Sequence, residues 1–93
     1  MFAHEIVDAV RQGESAVEIA QLALSAARRD EHGSFLFVDG ERALAQASAV
    51  DRRRDAGEAL GALAGVPVAI KDNLCVRGTP TTCASRLLAE WVA

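Results

Sequence analysis

Lys71 is the only lysine in this 93-residue chain, and the other nine basic side chains are all arginines. It closes the apolar run Gly65-Val66-Pro67-Val68-Ala69-Ile70 and stands directly before Asp72-Asn73. An exposed lysine has a pKa of ~10.4 and is almost wholly protonated at neutral pH, so this amine acts as a base only if desolvation or a cationic neighbour lowers that value. Two readings stand side by side. A lysine at the end of a strand is either a solvated charge or, with its stem covered by Val68-Ala69-Ile70, a catalytic base. Asp72 bears on the choice, because a carboxylate turned toward the amine would hold it charged. Ten residues on, Thr81, Thr82 and Ser85 supply hydroxyls that serve either a hydrogen-bond network or turns and helix caps.

Other chemistry is thinly represented. Ser15, Ser25, Ser34 and Ser48 lie in no motif that activates a nucleophile, and there is no Gly-x-Ser-x-Gly turn. No phosphate-binding glycine loop occurs. Cys75 and Cys83 are the only cysteines, and His4 and His32 lie far from them, so no zinc spacing exists. The two thiols are expected to be buried and inert, with a disulfide between them as the alternative. Arg52-Arg53-Arg54, flanked by Asp51 and Asp55, reads either as a helix end whose cations suit the dipole or as a phosphate or partner contact.

Composition bounds the rest. At 51% hydrophobic and 25% charged the chain is globular in character, and at this length it holds one thin core. A net charge of −3 argues against a nucleic-acid footprint on this segment alone. The longest uncharged stretch, from Ala59 to Ile70, is too short and glycine-rich to span a bilayer, and the start lacks a signal-peptide pattern. A cytoplasmic location is the expectation.

The elements that would carry Lys71 follow from periodicity. Helices are expected over about 4–12, 16–31, 41–56 and 85–93, and strands over about 35–38 and 66–71. Ser15 and Glu18 have capping-box spacing, and Ile19, Leu22, Ala23, Ala26 and Ala27 follow on one face. Phe35-Leu36-Phe37-Val38 has apolar groups on both faces, the pattern of a strand covered on each side. The last helix holds Leu87, Leu88, Trp91 and Val92 with no stop signal, so the sequence reads as cut rather than finished.

The stretch from Leu63 to Asn73, continuing to Gly78 and then Thr81-Thr82-Cys83-Ala84-Ser85, resembles the amidase signature family. Within that family it looks most like the branch of A subunits of glutamyl-tRNA(Gln) amidotransferases. Gly13-Glu14-Ser15 and the segment Phe37 to Ala47 add to the likeness. The resemblance implies an α/β fold: residues 1–93 would be the N-terminal part of a single amidase domain, a mixed sheet flanked by helices and incomplete in this chain. It further implies a Ser, cis-Ser, Lys triad, with Lys71 matching the lysine. The family's glycine- and serine-rich segment, which holds both serines, is absent from this sequence. On the same resemblance the amide is that of glutamine, and B and C subunits complete a heterotrimer. The B subunit makes most of the tRNA contact. No cofactor is expected in this chain, ATP and Mg2+ being used by the assembled enzyme. A stand-alone amidase and a non-catalytic helical module docking through Leu87, Leu88, Trp91 and Val92 are the alternative readings.

Overall fold

The computed structural model describes residues 1–93 and contains three α-helices: α1 (Ala3–Arg11), α2 (Ala16–Arg28) and α3 (Gly40–Asp55). Each begins where a side chain meets an unpaired backbone N–H. Glu5 accepts from the Phe2 N–H at 2.9 Å, Ser15 from the Glu18 N–H at 3.2 Å, and Asp39 from the Arg42 N–H at 3.0 Å. At the end of α3, Gly57 takes φ +75°, which lets its own N–H reach the Arg54 carbonyl and the Glu58 N–H reach that of Arg53. This is the left-handed stop that a glycine supplies at least cost. α2 ends at Arg28, short of the expected position 31, because the Asp30 carboxylate accepts the Ser34 N–H at 2.7 Å and turns the chain away.

The core lies among the helices. Val10, Ala16, Ala20 and Ala47 are buried together, with Ile6, Val17, Ile19, Leu44 and Val50 packed around them. Alanines at three of those four positions let α2 and α3 approach closely. Val10 is the one large side chain wholly removed from water, a burial that contributes about 1.5–3 kcal/mol. Gly65 packs onto it from outside the helices. Its φ is +86°, and a Cβ there would stand 2.8 Å from Val10 Cγ2.

The expected α/β fold is overturned. No strand or sheet forms, and the only β-type pairing is an isolated antiparallel bridge between Pro80 and Val92. The segments 35–38 and 66–71 lack regular structure because neither has a neighbour to complete a hydrogen-bonded ladder, and one extended segment cannot satisfy its own backbone. Their side chains accordingly face water: Leu36 is 71% exposed and Val68 68%. The last expected helix, 85–93, is a single 3₁₀ turn at Arg86–Leu88. Leu87 is 96% exposed. The radius of gyration, 14.7 Å, exceeds the roughly 12 Å of a compact domain of this length. No helix is long and apolar enough to cross a membrane.

Candidate functional site

Lys71 follows the extended run and opens a tight turn, its carbonyl accepting the Leu74 N–H at 3.0 Å. The turn is fastened to the segment ten residues later through Asp72. One carboxylate oxygen of Asp72 accepts the Thr82 N–H at 3.0 Å, the other accepts the Thr82 hydroxyl, and the Asp72 carbonyl accepts the Cys83 N–H at 3.0 Å. The hydroxyl of Thr82 in turn accepts from the Ala84 N–H at 3.2 Å. These bonds hold the Asp72 carboxyl below its ordinary range, the Thr82 hydroxyl being the largest cause and the Thr82 N–H the next.

The second turn is strained. Cys83 and Ala84 have φ of 51° and 57°, while the Ser85 N–H donates to the Thr82 carbonyl at 2.8 Å. Two successive left-handed residues closing such a bond are what a type I′ turn requires, a geometry usually left to Asn and Gly. Each non-glycine residue held there costs about 1–3 kcal/mol. Ser85 then caps the 3₁₀ turn, accepting from the Leu87 N–H at 3.3 Å. Thr81 is 4% exposed and its hydroxyl has no partner.

Lys71 itself is exposed, and the apolar run does not cover its stem, since Ile70 is 51% and Val68 68% exposed. The three ion pairs in the chain all involve Arg53 or Arg54, so no carboxylate holds the Lys71 amine. Cys75 and Cys83, expected to be buried, are exposed and free. Hollows of about 330 and 350 Å³ lie at the C-terminal end of α3 and include neither Lys71 nor Thr82. No three His, Cys, Asp or Glu side chains gather at one place.

A second polar constellation escaped the sequence reading. Asp51 of α3 reaches the start of α2, accepting the Ala16 N–H at 2.8 Å, the Val17 N–H at 3.2 Å and the Ser15 hydroxyl at 3.3 Å. Arg54 pairs with it at 3.1 Å and donates to the carbonyls of Val10 at 3.1 Å and Glu14 at 2.5 Å. Burial pushes the Asp51 carboxyl up, but the two N–H donors, Arg54 and Ser15 outweigh it and the net displacement is downward. The triple arginine is therefore divided. Arg52 and Arg53 are solvated, while Arg54 closes the corner between α1 and α2. At the other end of α3, Arg42 donates to the Arg77 carbonyl at 2.6 Å and ties the helix to the loop between Lys71 and Thr82.

The two fastened turns fall inside residues 18–93, the span matched by the family described as Amidase. Among similar curated proteins, the A subunit of glutamyl-tRNA(Gln) amidotransferase from Nostoc punctiforme is 56% identical over 85 residues, covering 89% of this chain and 18% of the relative. The protein of the same name from Synechococcus elongatus is 54% identical over the same coverage, and that from Salinispora tropica is 52% identical over 92 residues, covering 96% of this chain and 19% of the relative. The chain thus spans under a fifth of the length of these relatives. No solved structure matches it. A family match over residues 18–93, together with 56% identity to the Nostoc punctiforme protein over 89% of the chain, makes it a member of the amidase family.

Proposed function

We propose that these 93 residues are the N-terminal portion of a glutamine-hydrolysing amidotransferase A subunit, acting in the cytoplasm with B and C subunits. The ammonia released from glutamine would convert Glu-tRNA(Gln) to Gln-tRNA(Gln). The observation that carries this reading is the Lys71 turn bonded through Asp72 to Thr82, which joins into one unit the two segments on which the resemblance to the amidase signature rests. Lys71 serves as the base. In its neutral form it takes a proton from a bridging serine, which deprotonates the nucleophilic serine that attacks the glutamine carboxamide. Neither serine is among these residues, so the segment supplies one part of the triad and turnover needs the glycine- and serine-rich polypeptide. ATP, Mg2+ and most tRNA contact fall to the partner subunits on this reading.

The test is a graft. Residues 1–93 replace the matching stretch of the Nostoc punctiforme amidotransferase chain, expressed with that organism's B and C subunits, and glutamate release is measured. The graft should hydrolyse glutamine, and Lys71→Met should lower kcat by about 10²–10⁴-fold. A graft with no glutaminase activity, or a Lys71→Met graft with full activity, sinks the reading. Retained turnover in the graft without the B and C subunits would favour a stand-alone amidase.

A further inference from the structure

Asp72 is the carboxylate nearest to Lys71 along the chain, yet none of its acceptors is turned to the amine. Both carboxylate oxygens and the carbonyl are taken up by Thr82 and Cys83. Thr82 has a matching role. Its hydroxyl donates to Asp72 and accepts from the Ala84 N–H, so it uses both capacities of a hydroxyl at once. The backbone it secures is strained at Cys83 and Ala84 and would relax to ordinary conformations if those bonds were lost.

We infer that Asp72 and Thr82 are a positioning pair for Lys71, one that fixes the turn carrying the amine while keeping the adjacent carboxylate from pairing with it. This rests on the glutaminase reading above. The arrangement answers a difficulty built into the sequence Lys71-Asp72: a base that must lose its charge is followed immediately by an anion that would keep it charged. Directing the anion to a hydroxyl and an N–H turns a potential counter-ion into a brace. The downward displacement of the Asp72 carboxyl agrees with its being ionised and committed. Asp72 and Thr82 need not touch substrate. They act through the placement of the amine.

The experiment uses the graft with its B and C subunits and records glutaminase kcat and KM across pH. Thr82→Val keeps the shape but cannot bridge, and it should lower kcat by about 100-fold, the scale of a misplacement of about 1 Å, with KM within about twofold. Thr82→Ser keeps the hydroxyl and should retain most of kcat. Asp72→Asn should lower kcat without moving the acid limb of the kcat/KM profile, and the pair Asp72→Asn with Thr82→Val should be no worse than the poorer single variant. The near-isosteric Thr82 variants keep the test open if Asp72→Asn fails to fold. Full kcat in Thr82→Val overturns the inference, as do additive losses. So does an acid limb displaced to lower pH in Asp72→Asn, since that would mean the carboxylate faces the amine. In each of those cases an active unsubstituted graft leaves the glutaminase reading standing, whereas an inactive one overturns both.

Discussion

The helical region up to Gly57 and the irregular region after it are held together by different forces. Every buried apolar side chain (Val7, Val10, Ala16, Ala20 and Ala47) lies in the first, and the one buried residue in the second is Thr81, a polar one. Hydrogen bonds in the first region complete helix ends that already share a core. In the second they are nearly the whole of the order, running from Asp72 to Thr82, from Thr81 to Trp91 and from Gly78 to Ala93. The difference teaches where sensitivity should lie. Apolar burial tolerates small displacements, whereas a chain of directional bonds depends on each donor and acceptor keeping its angle.

Trp91, the only tryptophan, reports on the second region and far-UV circular dichroism on the first, so urea unfolding followed by both probes can break the comparison. Asp51→Ala should have the largest effect on stability, about 2–4 kcal/mol lost in the helical signal, because it strips two N–H groups of their acceptor and leaves Arg54 with only the exposed Asp55 as a charge partner. Since the folded Asp51 carboxyl titrates below its unfolded value, its stabilisation is complete above about pH 4 and is lost as pH falls through the folded value. The helical signal of the unsubstituted chain should therefore weaken on acidification, and Asp51→Asn should flatten that dependence. Loss of tryptophan signal alone in Asp51→Ala would reverse the assignment of forces.

Gly65→Ala should cost about 1–3 kcal/mol and act on both probes, since the new methyl meets Val10 and the residue must still hold a positive φ. A change confined to one probe would show that the regions are not coupled at this contact. Thr81→Val should be neutral or stabilising by up to about 1 kcal/mol, seen by fluorescence only, because it removes a buried hydroxyl that bonds to nothing. The smallest effect is expected from Ala84→Gly, a gain of about 0.5 kcal/mol in the tryptophan transition as a strained left-handed residue becomes a permitted one. Destabilisation there would mean that the alanine methyl makes a contact worth more than the strain.

The helices were legible because their signals are local. Ser15 before α2, the glycine after α3 and the apolar faces between them all act within a few residues. Asp39 shows the limit of that legibility: it falls between the expected segments 35–38 and 41–56, and in the structure it caps α3. The strands were not realised, because alternating Val66, Val68 and Ile70 encode a preference that only a neighbouring strand can convert into hydrogen bonds. Asp51 was hidden for another reason. Its partners at Ser15, Ala16 and Val17 lie 34 to 36 residues away, and nothing in its own neighbourhood distinguishes it from a solvated acid at a basic helix end. The Lys71 and Thr82 motifs were visible separately, but their fastening by Asp72 depends on a turn geometry that Cys83 and Ala84 do not advertise.

α3 is anchored to α2 at Asp51 and grips the Arg77 carbonyl through Arg42, so it serves as a strut of fixed length between the helical core and the loop that joins Lys71 to Thr82. The two grips are separated by roughly 14 Å along the axis. Adding one residue between them would swing Arg42 through about 100° and release its hold. The spacing along this helix thus fixes how far from the core that loop is held, through residues that lie outside it.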